Sequence, residues 1–223
     1  GGFAQTVGAI SHLRAQNQAL VAENETLRTQ NVQAGQVLRE NEQLKALLGF
    51  ERQHLEHRYQ PARVIGLGSN NLLPMVTLDQ GSSAGLKPGM TVVASGGLLG
   101  RIVNVGDHWS NVLPINNPSS SVAVVISGTT GPATGILQME PSKGLTLGLV
   151  PATERLQPGS WVLTSGVGGG FPPNVPVGII VSSDQQDVAL FQTATVQPAA
   201  DFHGVVDVLV ITDFVPIHAA TSQ

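Results

Sequence analysis

The sequence predicts a mainly β protein with a long N-terminal α-helix: a parallel coiled-coil helix followed by two small β-barrels. All 14 prolines lie at or after Pro61, together with 21 of the 26 glycines, whereas 12 of the 26 charged side chains precede it. Before that point leucines recur every seven residues. Beyond it, short β-branched runs alternate with Gly, Pro, Asn and Ser, and one stretch returns 70 residues later.

Proline fixes φ and removes a backbone donor, so its absence over 60 residues permits one long helix. Leu13, Leu20, Leu27 and Ala34 occupy the d positions of a heptad. The a positions are then Phe3, Ile10, Asn17, Asn24, Asn31 and Leu38. A buried Asn costs stability, but its amide pairs with its own counterpart in a parallel, in-register dimer. The expected dimer interface is therefore Ile10, Leu13, Asn17, Leu20, Asn24, Leu27, Asn31 and Leu38. Glu23 at g and Arg28 at the next e can pair between chains, worth about 0.5 kcal/mol at a solvated site. A single amphipathic helix lying on its own β domain is the alternative, although the a/d stripe is narrow, as in a coiled-coil seam. After Ala34 the phase slips to Val37, Asn41, Leu44 and Leu48, with Gly35 beside the slip; such slips overwind the supercoil locally. The helix is expected to end near Leu47-Leu48-Gly49 or one to two turns later, and residues 1–58 form the dimerisation segment.

From Pro61 the punctuation is that of an all-β fold. Expected strands are Ala62–Leu67, Met75–Leu78, Thr91–Ala94, Arg101–Val105, Val122–Ile126, Leu145–Leu149, Trp161–Thr164, Gly178–Val181, Thr193–Val196 and Val205–Ile211. Leu86-Lys87-Pro88-Gly89-Met90-Thr91-Val92-Val93-Ala94-Ser95-Gly96 matches Leu156-Gln157-Pro158-Gly159-Ser160-Trp161-Val162-Leu163-Thr164-Ser165-Gly166. Each copy precedes a strand opening with Gly, at Gly100 and at Gly178. A Pro-Gly turn feeding a strand is common; two copies with the same downstream strand favour two related barrels over one sandwich. Gly96-Gly97 and Pro151–Leu156 are the expected crossing points. The corresponding division places residues 97–150 in an inserted barrel, 61–95 with 152–212 in the other, and 213–223 in a flexible tail.

Several stretches resemble MreC, a family of rod shape-determining proteins. Glu40-Asn41-Glu42-Gln43-Leu44-Lys45-Ala46-Leu47-Leu48-Gly49 is similar to the end of that family's coiled coil. Thr77-Leu78-Asp79-Gln80-Gly81, Gly85–Val93 and Gly97–Gly106 resemble its first barrel motifs. Leu163-Thr164-Ser165-Gly166 through Phe171-Pro172-Pro173-Asn174-Val175-Pro176-Val177-Gly178 is the most specific, and Pro198–Phe202 closes the match. The resemblance implies two six-stranded-type barrels in a membrane-anchored, dimeric protein on the periplasmic side of the bacterial inner membrane. It also implies MreD, MreB, RodA and the elongation penicillin-binding transpeptidase as partners, with higher polymers of the dimer as a further form of assembly. The start at Gly1-Gly2-Phe3, with neither Met nor a signal-peptide pattern, reads as the interior of a longer protein whose anchor lies outside it.

Composition narrows the function. A net charge of −4 and a pI near 5.8 argue against a phosphate-binding face, so nucleic acid is not an expected partner. With no cysteine there is neither disulfide nor thiolate metal site. No run of about 18 apolar residues occurs, so no helix here is expected to span a membrane. A serine hydrolase would need Ser95 or Ser165 against His108 with a carboxylate behind it. Asp107 is adjacent to His108 in sequence and awkwardly placed for that, and neither Ser lies in a G-x-S-x-G context. Of His12, His54, His57, His108, His203 and His218, only His54 and His57 have helical spacing, and a solvated pair is the plainer reading. Gly166-Val167-Gly168-Gly169-Gly170 resembles a phosphate loop in its glycines alone, since Lys-Ser/Thr is missing and Phe171-Pro172-Pro173 follows. The expectation is a non-enzymatic scaffold with no catalytic residue, cofactor or metal, binding cell-wall synthesis proteins through its barrels. A periplasmic adaptor of an efflux assembly is the alternative, but it needs a helical hairpin between two barrel halves. A catalytically inactive or active protease-like barrel is the other.

Overall fold

Freedom from proline carries the first helix, α1, from Gly2 to Gln53 in the structure, a computed structural model. The structure describes residues 2–54, 56–68, 74–128, 133–184, 189–202, 204–214 and 216, without the side chains of 2–15 and 53. The chain divides into two units. Gly1–Glu42 is helical throughout its described length, and Gln43–Gln223 holds the last turns of α1 with every strand. Arg52 in the last turn complements the negative end of the helix dipole. The residue before a proline disfavours the helical region, and Gln60, before Pro61, is already extended.

Among the described residues twelve strands follow: β1 Tyr59–Gly68, β2 Met75–Leu78, β3 Thr91–Ala94, β4 Gly97–Val105, β5 Ser110–Pro114 and β6 Ser121–Ile126, then β7 Thr134–Glu140, β8 Gly144–Pro151, β9 Trp161–Thr164, β10 Pro176–Asp184, β11 Phe191–Pro198 and β12 Asp207–Ile211. They close two barrels, β1-β12-β3-β4-β5-β2 and β10-β11-β8-β7-β6-β9, with every neighbouring pair antiparallel. Alternate side chains fill each interior, as the strand period of two dictates. Val76, Leu78, Val92, Leu99, Ile102 and Val112 line the first barrel, and Val122, Val124, Leu137, Leu147, Val162 and Ile180 the second.

The recurring stretch occupies equivalent places in the two barrels. Gly89 and Gly159 take φ of 91° and 90°, a left-handed conformation glycine adopts at no steric cost. Their N–H groups donate to the carbonyls of Ile102 and Ile180, each at 2.8 Å. Ile102 and Ile180 in turn donate to the carbonyls of Met90 at 2.9 Å and Ser160 at 3.0 Å. Thus β3 corresponds to β9 and β4 to β10. Following the rings onward, β5 matches β11, β2 matches β8, β1 matches β7 and β12 matches β6. Each run of five strands, β1–β5 and β7–β11, is therefore followed by a strand that completes the other barrel.

This connectivity corrects the expected division. Residues 97–105 and 110–114 belong to the first barrel, with 59–94 and 207–211, and the inserted barrel spans 121–198 rather than 97–150. The repeat marks the same strand pair inside each barrel, so its copies lie within barrels and not at their boundaries. The chain crosses instead at 115–120 and 199–206. Gly96 and Gly97, expected as a crossing point, form the tip of the β3–β4 hairpin, where the two barrels meet backbone to backbone. A Cβ at Gly96 would stand 2.4 Å from the Ala199 carbonyl oxygen, and one at Gly97 2.4 Å from that of Pro176. Strands β5 and β7 were not among those expected: one ends in Pro114, and the other, TGILQME, is poor in β-branched residues.

The helix stops at Gln53, one turn beyond Gly49 and within the expected span, so the last residues of the 1–58 segment are not helical. One further expectation is corrected. Of the tail expected to be flexible, Phe214 packs against the core and Pro216 is buried; 215 and 217–223 lie outside the described residues. Leu47 and Phe50, in the last turns of α1, are buried in one cluster with the outward-facing Leu209 and Ile211 of β12, beside Tyr59 and Phe214.

Candidate interaction surfaces

Along the first unit the apolar side chains have no cover. Leu20 is 64% exposed and Leu27 51%, with Val21, Val32, Val37 and Leu38 alike. Asn17, Asn24 and Asn31 are also exposed. Of the eight residues expected at a dimer interface, six thus present their side chains to solvent; those of Ile10 and Leu13 lie outside the described residues. Thr26 and Thr29 donate back to the carbonyls of Ala22 and Glu25 at 2.9 Å, satisfying their hydroxyls within the helix.

A groove of about 410 Å³ opens between the end of α1 and the first barrel. Leu44, Leu47 and Leu48 form one wall; Tyr59, Pro61, Ala62 and Leu209 form the other. At its polar rim the Arg63 guanidinium lies 3.2 Å from Asp207 Oδ1, and the Arg63 backbone N–H donates to Asp79 Oδ1 at 2.8 Å. Gln43 Nε2 ties the helix end to the Gly204 carbonyl at 2.6 Å. Sequence reasoning missed this groove, because Leu209 stands more than 160 residues from the helix leucines it faces and no local pattern joins them.

Beside the groove, Tyr59 donates its hydroxyl to the His54 carbonyl at 3.2 Å. Burial, then the nearby charges of Glu56, Asp213 and Glu51, pushes its pKa up to about 12. The folded state therefore keeps a proton that the unfolded chain releases above the ordinary tyrosine value. That contribution is intact below pH about 10 and is lost as pH rises toward 12. Tyr59 is the single tyrosine, so absorbance at 295 nm reports it alone. Urea unfolding is expected to show stability falling between pH 10 and 12, and less steeply in Tyr59→Phe; equal slopes would contradict the coupling.

The chemistry-bearing residues are dispersed. His108 Nδ1 lies 3.0 Å from Ser83 Oγ, not against Ser95 or Ser165. Ser83 spends its proton on the Asp107 carbonyl at 2.7 Å, so the imidazole is the donor in that pair and no base faces a nucleophile. Asp107 Oδ1 accepts from Ser82 at 3.4 Å instead of orienting the His108 ring. Ser165 Oγ accepts from the Val167 N–H at 3.2 Å. His54 and His57 lie beyond the helix end, so their helical spacing does not apply: His54 stacks on Phe50 at 4.2 Å, and His57 Nδ1 stands 3.3 Å from Asp213 Oδ1. Among the described residues no three His, Asp or Glu side chains gather as a metal site; His203 and His218, and the side chain of His12, lie outside them. No described helix is long and apolar enough to cross a membrane.

Residues 64–212 match the model of the family "Rod shape-determining protein MreC, barrel core". The chain is 30% identical over 200 residues to the cell shape-determining protein MreC of Listeria monocytogenes, covering 88% of this chain and 68% of that one. It is 27% identical over 208 residues to the Escherichia coli MreC protein, covering 89% of this chain and 54% of that one, about half its length. A solved MreC structure superposes with a TM-score of 0.71 at 22% identity, covering 78% of this chain and 98% of that one. A complex between a penicillin-binding protein and MreC from Helicobacter pylori superposes with a TM-score of 0.56 at 18% identity, covering 70% of this chain and 98% of that one.

Proposed function

Because the chain belongs to the MreC family of rod shape-determining proteins, we propose that it is a non-enzymatic scaffold on the periplasmic side of the inner membrane. It dimerises in parallel through α1 and binds cell-wall synthesis enzymes through its barrels. The row of solvent-exposed leucines on α1 carries this reading, since a helix with such a stripe gains by burying it against a copy of itself. The Helicobacter complex supports a penicillin-binding transpeptidase as one partner. MreD, MreB and RodA are proposed with it from the family, and membrane attachment from a segment outside these residues.

Within this division of labour the helix sets spacing and the barrels bind. Leu190, 84% exposed, and Phe191, 52% exposed, lie side by side on the second barrel and offer an apolar landing site. Binding to the periplasmic part of a cell-wall transpeptidase, measured by interferometry, is expected to survive Arg39→Glu on the helix nearly unchanged. Asp at both Leu190 and Phe191 is expected to abolish it without lowering the melting temperature. Full affinity retained by residues 1–58 alone would end this assignment.

A further inference from the structure

We propose that the cleft between the two barrels, walled by Arg101 and the Gly166–Gly170 turn, binds the terminal carboxylate of a peptide whose last residue is small and apolar. This does not depend on the scaffold reading. The cleft encloses about 170 Å³ and draws on both barrels: Arg101 comes from β4, whereas Ser121, Ala123, Ile136 and the glycine turn with Phe171 come from the other side. Neither half is a site without the other.

Arg101 is exposed on β4, and its guanidinium has no ion pair or hydrogen bond with any described residue. Its planar fork matches a carboxylate in two parallel bonds. The turn opposite changes hand along its length: Gly166 and Gly168 have φ of 73° and 77°, Gly169 stays left-handed at 64°, and Gly170 returns to −80°. Successive N–H groups across such a change of hand form a concavity suited to an anion. Two are already used, Val167 donating to Ser165 Oγ at 3.2 Å and Gly169 to the Gly166 carbonyl at 3.2 Å. That of Gly168 has no acceptor among the described residues, and that of Gly170 faces only the Val167 carbonyl across the 3-10 turn Val167–Gly169. At Gly170 neither φ nor packing calls for glycine, since a Cβ there meets nothing within 4 Å; its absence keeps that side of the turn open.

The walls select the anion. A phosphate loop would continue into a helix and supply Lys, but here Phe171-Pro172-Pro173 follows without either. Ala123 and Ile136, with Phe171 beside them, instead place small and apolar residues on one side of the cleft, which suits a methyl-sized side chain. Capture of a chain-terminal carboxylate by backbone N–H groups is a recurring mode of peptide recognition.

The test titrates N-acetyl-Ala-Ala, as free acid, into the ¹⁵N-labelled full chain. Saturable shifts at the Gly168 and Gly170 amides are expected, with a Kd on the order of 1 mM, near −4 kcal/mol. Arg101→Gln, at an exposed position, is expected to weaken binding about tenfold or more. Gly170→Val should abolish it with the fold intact. The C-terminal amide of the same peptide should not bind. No saturable shift by about 10 mM, equal binding of acid and amide, tighter binding of inorganic phosphate, or an unchanged Kd in Arg101→Gln would each overturn the proposal.

Discussion

Asp at both Leu20 and Leu27 is expected to turn a dimer into a monomer, read by light scattering at tens of micromolar. Both residues sit at d positions one heptad apart, and in the single chain they stand 64% and 51% exposed. Burying a leucine fully is worth about 1.5–3 kcal/mol, and a parallel dimer buries two from each chain at these layers. The substitution removes that gain and brings like charges together across the seam. Wild-type protein should show twice the monomer mass and the variant the monomer mass. Asn17, Asn24 and Asn31 all changed to Ile should act oppositely: a higher melting temperature with a broader distribution of masses, because the polar layers that fix register and partner number are gone. A variant that kept the full dimer mass with Asp at both leucines would place the contact elsewhere.

Alanine at Ile102 or at Ile180 is expected to cost about 2–5 kcal/mol each, a large part of the ~5–15 kcal/mol that holds a domain. Each side chain is 1% exposed and each occupies the same place in its barrel, donating its N–H back across the Pro-Gly turn. The loss combines missing transfer energy with a cavity that a closed barrel cannot collapse to fill. Guanidinium unfolding should show similar drops for the two variants. Losses differing by more than ~2 kcal/mol would show that the barrels relax around a cavity unequally despite their matching geometry.

Much of this architecture is legible because its causes are local. The Pro61 boundary follows from what proline does to a backbone, and β2, β3 and β9 fall where their β-branched runs begin and end. The two barrels are visible in the 70-residue repeat, since each copy needs the same left-handed glycine before the same inward strand. Which strands are neighbours is another matter. The period of two assigns Val208 and Val210 inward and Leu209 and Ile211 outward, but it does not say that β12 lies between β1 and β3. The division into barrels was therefore misplaced. Among the candidate residues, the heptad positions on the helix are readable from spacing alone. The groove at Leu44–Leu48, the Arg63–Asp207 pair and the meeting of Arg101 with the glycine turn join segments far apart in sequence. Likewise His108 meets Ser83 because the turn Ser82–Ala84 is laid against the β4–β5 connection, through the Ser82 N–H to Gly106 and the Ser83 N–H to Asp107.

The exchange of final strands gives the two barrels different histories in a growing chain. Everything the second barrel requires has emerged once Pro198 is free, because β6 precedes the run it completes. The first barrel lacks β12 until Ile211 has emerged, and until then β1 and β3 face each other across an unfilled seam. At synthesis rates of ~5–20 residues per second, the interval from Ala94 to Asp207 lasts roughly 6–20 s. Unpaired strand edges invite pairing with other chains. A chain stopped anywhere between Pro198 and Asp207 would keep its second barrel whole and carry the first with an open seam.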